Sequence, residues 1–188
     1  NVTLTTDAGN GVINMGTLQQ SAGDLILVTN GNGAATVVNN AAIDFGTSNV
    51  GGALDVTASA GTITQNGGAL TVAGTSAFTT STNDQAITLS NTTNALTGAV
   101  AFTTGGTAGN VVIDNGTTGL DLAASTINGT LTATGGATAG IVDSGNVAVA
   151  GNVTLTTDAG NGVINMGTLQ QSAGDLILVT NGNGAATV

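Results

Sequence analysis

The sequence predicts an all-β chain wound as a parallel β-helix, or β-solenoid. Three observations carry that prediction: a long exact repeat, a shorter degenerate repeat inside it, and short runs of alternating apolar residues broken by Gly, Asn, Asp and Ser.

The long repeat comes first. Residues 1–37 read NVTLTTDAGNGVINMGTLQQSAGDLILVTNGNGAATV, and residues 152–188 repeat them letter for letter, an offset of 151 positions. The chain therefore divides into one full unit, 1–151, and the start of the next, 152–188. Asn1 and Val188 both lie inside repeat sequence, which leads to the expectation of a solenoid uncapped at both ends.

The shorter repeat is an opening with apolar residues at i and i+2: Val2/Leu4, Leu25/Leu27, Leu54/Val56, Leu70/Val72, Val100/Phe102 and Leu131/Ala133, then Val153/Leu155. Taken as one opening per coil, these give six coils per period, starting near 1, 24, 53, 69, 99 and 130, with spacings from 16 to 31 residues. Val2, Leu25, Leu54, Leu70, Val100 and Leu131 should then form one inward ladder, with Leu4, Leu27, Val56, Val72, Phe102 and Ala133 forming the next. Residues 152–188 should occupy the coil positions of 1–37 six coils further along, roughly 29 Å at about 4.8 Å per coil. A landmark Ile follows most openings, as in Ile13-Asn14-Met15-Gly16 and Ile113-Asp114-Asn115-Gly116, with Ile87 as a weaker counterpart. No helical spacing is sustained, and Gly punctuates too often for helices. A β-sandwich would account for the alternation but not for the recurring opening.

Composition narrows function. The 188 residues include no Lys, Arg, His, Cys, Pro, Trp or Tyr, and all ten ionisable side chains are Asp, for a net charge of −10. Without cations the chain cannot displace counterions from nucleic-acid phosphates or dock on anionic lipid. Without His or Cys the usual zinc, haem and iron–sulfur sites are out of reach, as are Ser–His triads. The sequence therefore predicts no enzyme, no catalytic residue and no cofactor. Small and β-branched residues suit a narrow coil interior, and the 31 Gly, with Asn, suit its corners.

The openings GNVTLTT (151–157), GALTVAG (68–74) and GTLTATG (129–135), followed by Ile-Asn/Asp-x-Gly landmarks, resemble the β-helical repeats of filamentous-haemagglutinin-like adhesins. They are similar too to giant autotransporter and two-partner-secreted passengers of Gram-negative bacteria. The resemblance implies a right-handed parallel β-helix carried to the cell surface for adhesion, biofilm or sheath formation. It brings no catalytic residue with it.

Three candidate sites remain. Asp44, Asp114 and Asp143 follow landmark isoleucines and should recur at one coil position, near Gly and Asn; they could supply oxygen ligands to Ca²⁺, or cap turns by accepting backbone N–H bonds. Thr-x-Thr pairs at Thr3/Thr5, Thr62/Thr64, Thr80/Thr82 and Thr132/Thr134 raise an ice-binding face, but the outward positions of the other openings, such as Ile26/Val28 and Ala101/Thr103, break its register. Paired Asp for glycoside hydrolysis would need carboxylates about 5–9 Å apart in a groove, and no Asp-Asp or Asp-x-Asp occurs. The expectation is thus a structural extracellular filament or adhesin stalk whose partner is itself, end to end or through tandem repeats, with lateral bundling. The alternative is a Ca-dependent or ice-binding module.

Overall fold

A computed structural model describes residues 1–136, 139–158 and 160–188. The described residues form 24 short strands and no helix, and every strand pair is parallel. The chain is an all-β parallel β-solenoid of about eight turns, each turn contributing strands to two long sheets.

The first turn holds β1 (Val2–Thr5) and β2 (Ile13–Leu18), and the second β3 (Leu25–Val28) and β4 (Ala35–Asn39). In the next three turns the first-sheet strand is bent in two: β5 (Ile43–Phe45), β6 (Ser48–Val50) and β7 (Leu54–Ala58); β8 (Ile63–Gln65), β9 (Leu70–Val72) and β10 (Ser76–Asn83); β11 (Ile87–Leu89), β12 (Ala95–Leu96) and β13 (Val100–Gly105). After that the bend moves to the second sheet: β14 (Val111–Asp114), β15 (Leu120–Leu122) and β16 (Ser125–Ile127); β17 (Leu131–Gly135), β18 (Ile141–Asp143) and β19 (Val147–Val149); β20 (Val153–Thr157), β21 (Ile164–Asn165) and β22 (Leu169–Gln171). A last partial turn holds β23 (Leu176–Val179) and β24 (Ala186–Thr187).

Strand alternation builds the interior. Successive side chains point to opposite faces, so Leu25 and Leu27 are buried while Ile26 and Val28 face outward in part. The same pattern recurs turn after turn and produces a single core. Its bulkiest stretch is aromatic: Phe78 stacks on Phe102 at 5.8 Å between ring centres and meets Phe45 edge-on at 6.2 Å, all three fully buried. Corners bring backbones together. Gly74 donates to the Gly52 carbonyl and Gly52 to that of Gly33. A Cβ on Gly74 would lie 2.6 Å from the Gly52 carbonyl carbon, which only glycine avoids.

The pairing corrects the coil count. Leu54 and Val100 are on the second sheet, while Val2, Leu25, Leu70 and Leu131 are on the first, so the predicted inward ladder mixes two sheets. The period takes seven turns rather than six. Measured along the ladder, the steps are Val2 to Leu25, Leu25 to Phe45, Phe45 to Gln65, Ile63 to Ile87, Ile87 to Val111, Val111 to Leu131 and Leu131 to Val153, each 20 to 24 residues. The wide spread of the opening spacings arose because the openings at Leu54 and Val100 lie on the second sheet and the others on the first. The landmark isoleucines are mixed in the same way: Ile43, Ile63, Ile87 and Ile113 open or fill first-sheet strands, whereas Ile13 and Ile141 belong to the second sheet.

The second copy of the repeat takes the positions of the first. Val153 pairs with Leu176 as Val2 pairs with Leu25, and Ile164 with Ala186 as Ile13 with Ala35. Val153 and Leu155 stack on Leu131 and Ala133, as the sequence predicts. Leu25 is 1% exposed, whereas its duplicate Leu176, with no further described turn over it, is 41% exposed. Identical local sequence is thus buried only when a neighbouring turn covers it, and full burial of such a side chain is worth about 1.5–3 kcal/mol.

Candidate functional site

Corner side chains clamp one turn to the next. Asn1 and its duplicate Asn152 accept the N–H groups of Asp24 and Asp175, at 2.9 and 3.0 Å. Asn10 and Asn161 accept those of Asn32 and Asn183, both at 2.9 Å. Strand-end threonines work in both directions: Thr104 Oγ1 donates to the Gly109 carbonyl at 3.0 Å and accepts from the Asn128 N–H of the next turn at 3.0 Å. Each clamp satisfies a backbone group that a tight corner would otherwise leave without a partner.

The Asp candidates belong to this system. Asp44 lies on β5 and Asp114 on β14 of the first sheet, three turns apart, whereas Asp143 lies on β18 of the second sheet. They do not share one coil position, because the isoleucines preceding them come from different sheets. Asp44 Oδ1 accepts from Thr64 Oγ1 at 3.1 Å, and Asp114 Oδ1 accepts the Gly116 N–H at 2.8 Å, a local turn cap. Asp143 reaches across to the next turn, with Oδ1 accepting the Gly167 N–H at 2.9 Å and Oδ2 the Thr168 N–H at 2.7 Å. Among the described residues, no three Asp gather into a group that could hold a metal ion.

Asp84 is a clamp that sequence reasoning passed over. It has φ of 62°, the only positive φ at a non-glycine among the described residues. Asp tolerates that left-handed conformation better than most side chains. Its Oδ1 accepts the N–H groups of Thr107 and Ala108, at 2.7 and 2.8 Å, on the turn that follows. These bonds, that from Thr107 foremost, hold the carboxyl below its ordinary value of 3.8. A folded pKa below the unfolded one means that the clamp contributes above the unfolded value and is lost as pH falls through the folded one. The amide shifts of Thr107 and Ala108 should therefore titrate together with a midpoint below 3.8, and Asp84→Asn should abolish that titration. A midpoint at or above the ordinary Asp value would contradict the clamp.

Three buried asparagines act where strands run out; Asn94 Oδ1 accepts the Leu70 N–H at 2.8 Å, and its Nδ2 donates to the Leu89 and Asp114 carbonyls at 3.2 and 3.0 Å. Asn39 Oδ1 accepts the Gln20 N–H at 2.9 Å, and its Nδ2 donates to the Gln20 and Ala42 carbonyls, both at 2.8 Å. Asn115 does the same for Leu96, accepting its N–H at 2.8 Å while Nδ2 donates to the Leu96 and Gly119 carbonyls at 3.0 and 2.9 Å. In each case a carboxamide stands in for a missing backbone rung of the ladder.

The outer faces are built largely from small residues and carry carboxylates at Asp44, Asp55, Asp114 and Asp121 but no cation. On the second sheet, Thr57, Thr79, Thr103 and Thr126 stack in register over four successive turns. The signal was present in the sequence as Val56-Thr57, Phe78-Thr79 and Phe102-Thr103, and becomes visible once second-sheet openings are aligned with one another. On the first sheet the Thr-x-Thr array spans two turns, with Thr132/Thr134 beside Thr154/Thr156, and is flanked by Val112/Asp114 and Ile177/Val179. Thr3/Thr5 meets Ile26/Val28. Thr80 is buried, so the Thr80/Thr82 pair is not an outward one. Beside the second-sheet threonines lies an open trough of about 360 Å³, floored by Ala53, Ala77, Ala99, Ala101 and Ala123 with Asp55 at its side.

Comparison with known proteins bears on this geometry. Residues 32–103, from the corner before β4 into β13, match the family model described as repeats of unknown function (DUF5649). This stretch covers the turns that carry the three packed phenylalanines and the start of the threonine ladder. No curated protein and no solved structure matches the chain.

Proposed function

We propose that this chain is a stretch of an extracellular structural filament or adhesin stalk built from tandem 151-residue solenoid units. The observation that carries the reading is the equivalence of the two copies: residues 152–188 continue the ladder begun by 1–37, on the same two sheets and with the same local pairing. A unit that stacks on its own successor makes a rod, and a rod of constant cross-section suits a stalk or sheath. The polar groups at the corners are engaged in holding turns together, which suits a scaffold more than a reaction centre. Ten carboxylates with no cation keep neighbouring rods apart at neutral pH. The experiment is labelling of intact cells of the source organism with an antibody raised against residues 1–151. Surface labelling in extended arrays is expected. Labelling only after permeabilisation would overturn the extracellular reading.

A further inference from the structure

The ladder and the repeat do not have the same length, and the mismatch is regular. Following backbone partners from Val2 leads through Leu25 and Phe45 to Gln65; the Ile63–Ile87 pair sets Gln65 opposite Leu89, and the route continues through Ile113 and Ala133 to Leu155 after seven turns. The arrival point is the duplicate of Leu4, not of Val2, so seven turns take 153 residues where the repeat has 151. The second sheet behaves alike. From Leu18 the partners run through Asn39, Ala58 and Thr80 to Thr104; the Thr103–Thr126 pair sets Thr104 opposite Ile127, and the route continues through Val149 to Gln171, the duplicate of Gln20. Each of these two routes gains two residues; a route begun at Met15 reaches Leu169 and gains one more, taken up by the bulge between Met15 and Leu18. Away from a bulge, an even gain is the condition for coexistence with a buried core, because a slip of one residue would turn every inward side chain outward.

The gain arises at two corners. On the first sheet a new inward column opens at Ile43, which has no partner on β3 because Leu25 already pairs with Phe45. Asn39 sits just before it, bonded to Gln20 and Ala42. On the second sheet a column that is glycine in earlier turns, at Gly52, Gly74 and Gly98, becomes apolar at Leu120 and continues through Ile141 and Ile164. Asn115 sits just before that one, bonded to Leu96 and Gly119. At each corner the ladder gains a column on one side and ends on the other, where the carboxamide closes the last rung.

We infer that successive 151-residue repeats are turned relative to the ladder by one inward column, with Asn39 and Asn115 as the pivots, so that each repeat presents its outer faces in a new direction. This rests on the tandem reading above. Two residues in a turn of about 22 correspond to about 33° of the circumference, since side chains on one face recur every second residue. A threonine ladder such as Thr57–Thr79–Thr103–Thr126 then recurs along a winding stripe, not along one side of the rod. A partner that engages it in repeat after repeat must wrap around the rod.

The register can be read in this chain by outward cysteine pairs under mild oxidation, mapped by mass spectrometry. The inference predicts that Ile26→Cys links to Gly46→Cys, one residue past the Leu25–Phe45 pair, and that Ala101→Cys links to Ala123→Cys, one residue past Val100–Leu122. Without the turn, Ile26→Cys would instead face Asp44→Cys, and Ala101→Cys would face Asp121→Cys. All four are single-disulfide tests; Gly46 is itself covered by the Ile26 side chain, which a Cβ there would meet at 2.8 Å and which Ile26→Cys shortens. Linkage in the second set, or in neither, overturns the inference. The outcome is independent of cellular location, so it is distinguishable from failure of the filament reading.

Discussion

Replacing Phe78 with alanine is expected to destabilise the fold by about 3–5 kcal/mol, the range for removing a buried aromatic side chain. Phe78 is fully buried between Phe45 and Phe102, which approach from the first and second sheets. A narrow solenoid core has few ways to collapse around the void, because each inward position is fixed by ladder bonds to the turns on either side. The effect should register in urea unfolding as a lower midpoint. Val12→Ala, at a position 65% exposed, is the control and should shift stability by less than about 0.5 kcal/mol. A Phe78→Ala shift below about 1 kcal/mol would mean that the ring is not part of a packed interior.

The second large effect is at Asn115. Asn115→Leu keeps the volume close but removes all three bonds of a fully buried carboxamide, and leaves the Leu96 N–H together with the carbonyls of Leu96 and Gly119 without partners. An orphaned buried group costs about 1–3 kcal/mol; the two at Leu96 are buried and that at Gly119 only in part, so a total loss of at least about 2 kcal/mol is expected. Asn115→Asp should also be destabilising, because it retains an acceptor for the Leu96 N–H but loses the donor and buries a charge. Hydrogen exchange should place the damage in the turns around Leu96 and Leu120, since a solenoid turn depends mainly on its neighbours. Uniformly faster exchange along the chain, or none, would contradict the rung-closing role.

Why the sequence revealed some of this and not the rest follows from the chemistry of the strands. Alternation fixes which side of a strand faces inward, so Leu25, Leu27, Val153 and Leu155 are readable as core from the sequence alone. Alternation does not say which sheet a strand joins, because both sheets bury the same kind of residue at the same period. Leu54-Asp55-Val56 and Leu70-Thr71-Val72 look alike, yet β7 and β9 lie on different sheets. That ambiguity turned seven turns into six. The turn-capping reading of Asp143 was available from its Ser-Gly surroundings, but its partners, 24 and 25 residues ahead, depend on turn length. Asn39 and Asn115 are the reverse case. Each reads as an ordinary turn residue, and only the stacked turns reveal it as buried and closing a rung.

The central claim is that each 151-residue unit adds a fixed length of solenoid to a rod. Arrays of one, two and four units, measured by small-angle scattering or in negative-stain micrographs, should lengthen by about 34 Å per unit, seven turns at about 4.8 Å each, with an unchanged cross-section. Particles that instead grow in all directions, with a radius of gyration rising as roughly the 0.38 power of chain length, as in compact globular folds, would contradict it.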